Sequence, residues 1–233
     1  MTSRSRSLSG IALMLLIIPI FAGLMACMPV PIGDPERSRI DPDLTGIWVI
    51  LSDEENEGDV GFYVVEPYDK RTWLVMGIAI ESEDDVDFDD YDFSTYAGYE
   101  KLVADHRESP KNFYSDDVIL YKAWLTKLGG VQFWTWEPKG MVDALTEDPE
   151  AWFVHRIQKE DDNTLSLDMV DGEADFFDDI EKTRRAYERV LKKHVNDPEI
   201  YFDEGDGQAR LSRANGDVLT FLENVADDVL EPW

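Results

Sequence analysis

The chain has a single cysteine, Cys27, among 233 residues, so no intrachain disulfide is available and the fold must stand on its core alone. Histidine is scarce as well. His106, His155 and His194 lie far apart, without the short spacing of a zinc pair, so no metal site is expected from them. Basic residues are outnumbered: 22 Lys and Arg against 50 Asp and Glu leave a net charge of −28. A field of that sign repels nucleic acid and anionic membrane surface, and favours cations or a basic protein partner. Missing too are Gly-x-Ser-x-Gly, His-Glu-x-x-His, Cys-x-x-Cys and a phosphate-binding glycine loop, so no catalytic residue and no cofactor are expected. Carboxylates are too abundant for a catalytic acid pair to stand out, which ranks a hydrolase last among the readings.

No apolar run is long enough to span a bilayer. The longest uncharged one, Ile11 to Ala26, has sixteen residues where a spanning helix needs about 20, and Pro19 interrupts it. Arg4 and Arg6 precede it as a positive flank. A short apolar run behind such a flank is the pattern of a cleaved signal peptide, here residues 1–26. Its removal takes away two arginines and no acid, so the net charge moves from −28 to −30.

At the end of that run stand Leu24, Met25, Ala26 and Cys27. They resemble the lipobox of bacterial lipoproteins, with a branched residue at −3, a small one at −1, and then the cysteine. Met25 stands where Ser, Ala or Thr is usual. The resemblance implies that Cys27 carries diacylglycerol by a thioether and becomes the mature N-terminus. The folded part is then held to the cell envelope by lipid, since two or more acyl chains anchor stably where one is marginal. Met28, rather than aspartate, after the cysteine resembles the pattern sent to the outer membrane, facing the periplasm.

Behind the lipid site, residues 27–43 form a Pro-rich tether. Four prolines in residues 28–42 disfavour a helix and predict an extended spacer that lifts the domain from the bilayer. Residues 44–233 form one β-rich domain. Runs rich in Val, Ile, Trp, Tyr and Phe recur at Gly46–Leu51, Val60–Glu66, Thr72–Ile80, Val118–Leu125, Val131–Glu137, Trp152–Lys159, Thr164–Val170 and Ala209–Ala214, as half-buried strands prefer. A poorer run, Gly98–Asp105, is a further strand candidate. Pro67 to Lys70, Gly129-Gly130 and Asp161 to Asn163 supply hairpin turns between neighbours. The fold class is therefore mainly β (α+β): an antiparallel meander of seven to nine strands, closed or nearly closed into a barrel because closure removes exposed edges. One long helix is expected at about 178–195, on an apolar stripe that includes Ile180, Tyr187 and Leu191, and a short C-terminal helix at about 217–225.

The first strand, Gly46-Ile47-Trp48, is similar to the Gly-x-Trp motif that opens lipocalins. In that family the tryptophan closes the base of an eight-stranded barrel and an arginine from the last strand packs on it. Here Arg210 or Arg213 could serve. The long helix before the final strand departs from lipocalin order, so the resemblance implies architecture and not a ligand class. Trp134 and Trp136 share one strand face and are candidate ligand-binding residues for an apolar or sugar-like molecule, though large aromatics more often simply fill a core.

The acids gather in runs between these segments and read as solvated loops. The densest, Glu83 to Asp92, suggests calcium, but an EF-hand loop starting at Asp85 would need glycine where Asp90 stands and glutamate where Tyr96 stands. Three functions follow. The first is a lipid-anchored, non-enzymatic accessory protein working by contact. The second is a barrel carrying a small hydrophobic ligand, and the third a hydrolase.

Overall fold

In a computed structural model, residues 27–52, 60–82, 86–108, 113–115, 118–141, 144–145, 151–202 and 207–230 are described. Residues 1–26, where a signal peptide is expected, and the acidic runs 53–59, 83–85 and 203–206 lie outside them.

Eight strands close into a lipocalin-like barrel: β1 (Gly46–Leu51), β2 (Gly61–Pro67), β3 (Trp73–Ala79), β4 (Val118–Leu128), β5 (Val131–Met141), β6 (Phe153–Lys159), β7 (Thr164–Met169) and β8 (Gln208–Arg213). Each pairs antiparallel with the next, and β8 returns to β1, with Arg213 opposite Trp48 and Arg210 opposite Leu51. Helix α1 (Tyr96–Glu108) lies between β3 and β4, α2 (Arg184–His194) between β7 and β8, and α3 (Gly216–Leu230) after β8. At the β4–β5 turn, Gly129 and Gly130 have φ of 59° and 94°, the left-handed pair that a two-residue hairpin demands.

The strands read as nearly continuous apolar runs because both faces are covered. Along β1, Trp48 and Ile50 point into the barrel, while Val49 and Leu51 point outward against Phe62, Ile78, Leu102 and Leu222. Helices α1 and α3 cover that outer face. A second outer face, with Phe133 of β5 and Val154 of β6, lies under Tyr187 and Leu191 of α2. The interior is the third core, centred on Trp48, Trp73, Trp134 and Trp136.

Gly98–Asp105 is not a strand but most of α1. Gly98, Tyr99, Leu102 and Val103 are buried at helical spacing, and a Cβ on Gly98 would meet the Asp92 carbonyl oxygen at 2.1 Å. Helix α2 starts at Arg184 rather than 178. Asp179 takes a left-handed φ of 56°, and Thr183 caps the helix by accepting from Ala186 N. Helix α3 runs on to Leu230 rather than stopping at 225.

The segment expected to be an extended spacer is instead packed along the barrel as a strap. Met28 and Ile32 are fully buried, and Met28 exchanges backbone hydrogen bonds of 2.9 and 3.0 Å with Trp152. The Ile32 carbonyl accepts from both Trp124 Nε1 (2.8 Å) and Thr135 Oγ1 (2.9 Å), two outward-facing donors that would otherwise be sealed without a partner. Gly33 N donates to Glu188 Oε1, and Arg184 Nη1 donates to the Gly33 carbonyl. With φ at +80° and Thr126 Oγ1 only 1.6 Å from where a Cβ would stand, this position admits glycine alone. The prolines do prevent a helix, but nonlocal donors on the barrel recruit the chain that they leave extended.

The acids also have work beyond solvation. Asp34, Asp41, Asp69, Asp87, Asp92, Asp161, Asp171 and Asp197 each accept from the backbone N–H two residues ahead. Asp34, Asp41, Asp87 and Asp197 thereby cap short 3-10 helices, and the others hold tight local turns.

Candidate functional site

The short turns β2–β3, β4–β5 and β6–β7 gather at one end of the barrel, and Trp48 closes it. Its Nε1 donates to the Leu44 carbonyl at 2.9 Å, and the Arg213 guanidinium lies 4.2 Å over its ring. Of the two arginines proposed for this role, Arg213 takes it, because its register opposite Trp48 turns it inward. Arg210 points outward and pairs with Glu160 at 2.9 Å. Arg213 also donates to the carbonyls of Thr45 (2.8 Å) and Asp43. Gly46 has φ of +130°, and a Cβ there would stand 2.8 Å from Arg213 Nη1, which explains the glycine of the motif.

Above this plug the lumen is filled with rings. Trp73 and Trp134 meet edge to face at 6.1 Å, and Trp134 and Trp136 at 5.1 Å, the T-shaped contact that aromatic quadrupoles favour. Trp134 is 1 % exposed and Trp136 3 % exposed. The two candidate ligand-binding residues thus share the interior but differ in depth. Trp134 is sealed between Trp73 and Trp136. Trp136 is the floor of a cup walled by Tyr63 (5.1 Å), Tyr121 (5.3 Å) and His155 (4.8 Å), with Phe153 5.8 Å from Tyr121. These wall residues are only partly buried, unlike the tryptophans below them. Gly77, paired with Tyr63, leaves room for that ring, since a Cβ would stand 3.2 Å from it.

The cup lies at the end from which the long connections leave, and Cys27 lies at the same end. Met28, next in sequence, pairs with Trp152 just before β6. Burial pushes the Cys27 thiol up to about 11, so it is protonated at neutral pH. Burial also raises the Tyr121 hydroxyl, with further contributions from Tyr63 and Cys27, which ties the cysteine to the cup wall.

The sequence set His155 aside as a metal ligand and gave it no other role. Burial drives its pKa down to about 4, against the attraction of Asp168, and among the described residues its Nδ1 has no hydrogen-bond partner. The same holds for Nε1 of Trp73, Trp134 and Trp136. A histidine neutral in the fold and protonated in the unfolded chain costs stability as pH falls from 6.5 towards about 4. The full shift would carry about 3 kcal/mol, and the partial exposure of the ring reduces it. Unfolding free energies measured at neutral pH and at the lower limit of that window should therefore differ less in His155→Gln than in the parent. Equal acid losses in the two proteins would remove His155 as the cause.

The other two histidines sit apart from the cup. His194 ends α2, packed against Phe176 at 4.4 Å with the rings tilted and 3.7 Å from Asp197, while His106 packs against Phe113 and Phe221. Among the described residues, no group of three or more His, Cys, Asp or Glu side chains is placed to hold a metal ion. In the acidic stretch tested for calcium, Asp87 and Asp92 are engaged in turns.

No protein-family model, curated protein or solved structure matches this chain.

Proposed function

We propose that the chain is a bacterial envelope lipoprotein, held to a leaflet by acyl chains on Cys27, whose barrel works by contact rather than by catalysis. The observation that carries the reading is the place of Cys27 in the sequence. It ends the lipobox-like run, and the residue after it, Met28, is fully buried against the barrel. Cys27 is the sole cysteine of the sequence, so no intrachain disulfide competes with acylation for its sulfur. The test is the N-terminal peptide of the membrane fraction. Its mass should equal a peptide starting at Cys27 plus diacylglycerol and a further acyl chain, and Cys27→Ala should release the polypeptide into the soluble fraction. An unmodified peptide containing Cys27, or unchanged retention of the alanine variant, sinks the proposal.

A second reading, carriage of a small apolar ligand, is favoured by one observation: the partly exposed aromatic cup above Trp136. Against it, four tryptophans occupy the lumen below, so any ligand would rest in the cup and not in a deep cavity. Such a ligand would meet Tyr63, Tyr121, Phe153 and His155, since Trp136 is itself covered by these rings.

A further inference from the structure

Six of the chain's 22 Lys and Arg fall within residues 182–193. On α2 the buried residues are Tyr187 and Leu191, and Arg185, Arg189 and Lys193 lie on the opposite, solvent-exposed face. Where the helix meets the strap the charges are mixed: Arg37, Lys127 and Arg184 border a depression of about 290 Å³ together with Asp34 and Glu188, and Arg37, Arg39 and Lys127 border a second of about 400 Å³ together with Asp41. Among the described residues, Arg39, Lys127, Arg185, Arg189, Lys192 and Lys193 make no ion pair, although the chain holds 50 acids. Of the nearby acids, Glu188 accepts from Gly33 N and Asp34 from Glu36 N, while Asp178, Asp179 and Glu181 stand exposed before the helix.

This face has a fixed relation to Cys27. Met28 and Ile32 share one core with Tyr187 and Leu191, so the chain reaches Cys27 from the side of the barrel that α2 covers. We propose that the exposed face of α2 lies against the anionic phosphate headgroups of the leaflet that holds Cys27. This rests on the lipid-anchor reading and adds to it an orientation and a lipid preference. The net charge of −28 does not forbid it. The Debye length at physiological ionic strength is about 8 Å, while the 11 residues of α2 extend over roughly 16 Å, so the field over the helix is set mainly by its own charges, six Lys and Arg against Glu181 and Glu188 within residues 181–193. A polybasic surface beside an acyl chain is also an effective second anchoring signal.

The test uses the chain from residue 27 onward, which contains every described element, with Cys27→Ser so that no acyl group is present. It should sediment with vesicles of phosphatidylglycerol and phosphatidylcholine in equal parts, stay in solution with phosphatidylcholine alone, and be released by added salt. Arg189→Gln should weaken binding about five-fold and the triple variant R185Q/R189Q/K193Q about a hundred-fold, with unchanged circular dichroism. Three results would overturn the proposal: no preference for phosphatidylglycerol, binding that ignores the substitutions, or displacement by inorganic phosphate or polyglutamate at matched charge. The last would assign the surface to a free anion or an acidic polypeptide. Because the protein tested carries no lipid, failure here leaves acylation of Cys27 standing, and failure of acylation leaves this binding intact.

Discussion

Trp48→Ala should lower the unfolding free energy by about 4 kcal/mol, as the urea midpoint followed by far-UV circular dichroism would report. Trp48 is 1 % exposed and closes the barrel end between Leu44 and Arg213. Truncating a buried tryptophan loses its transfer free energy and leaves a cavity that a closed ring of strands cannot collapse to fill. Two further costs follow. The Leu44 carbonyl loses its indole donor, and the Arg213 guanidinium loses the ring it lies over, an interaction of about 1–2 kcal/mol when desolvated. Domains of this size are stable by about 5–15 kcal/mol, so the variant should sit near the edge of folding. Trp48→Phe keeps most of the apolar body but loses the donor and part of the ring volume, for about 2 kcal/mol. Arg213→Lys should cost more than a like-charged exchange suggests, because an ammonium neither stacks as a plane nor forks to the carbonyls of Thr45 and Asp43. A Trp48→Ala midpoint within error of the parent would mean that the barrel end is closed by something other than this residue.

The barrel was legible because its signals are local. Eight apolar runs, the Gly129-Gly130 turn and the Gly-x-Trp start each declare themselves within a few residues, and a meander needs only neighbour pairing. The choice between Arg210 and Arg213 was not legible, since a register shift of one residue reverses which side chains face inward. Helix α1 was missed because its apolar stripe is thin: Gly98 contributes close packing against the Asp92 backbone and no side chain, so only tertiary contact marks it as helical. The candidate site divides in the same way. Trp136 was picked out by its spacing from Trp134, but Tyr63, Tyr121, Phe153 and His155 come from β2, β4 and β6, and no sequence pattern links them. Net charge also hid the basic face. A sum over 233 residues records 50 acids and says nothing of where the cations stand together.

The strap is the largest departure from the sequence reading, and Ile32→Asp distinguishes the two views sharply. On a solvated spacer the substitution would change stability by no more than about 0.5 kcal/mol. On the strap it places a carboxylate where the native side chain is 0 % exposed. Keeping the strap docked would require an uncompensated buried charge at several kcal/mol, or a proton taken up at a raised pKa. Undocking limits that cost, forfeiting the burial of Met28 and Ile32 and the two hydrogen bonds that Trp124 and Thr135 make to the Ile32 carbonyl. The expected loss is about 3 kcal/mol, measured by denaturant midpoint. A second readout is tryptic cleavage after Arg37 and Arg39, which should accelerate because the turn from Pro35 to Ser38 and the bond from Leu125 N to Ser38 Oγ no longer hold the backbone. The pH dependence has a defined sign. An aspartate whose docked pKa lies above its free value penalises docking when ionised, so acidification should slow cleavage again. If Cys27 carries lipid, the consequence is mechanical. A docked strap leaves no slack between anchor and barrel, whereas a released one of some 16 residues could span up to about 50 Å, and the same substitution would then free the barrel to stand away from the leaflet.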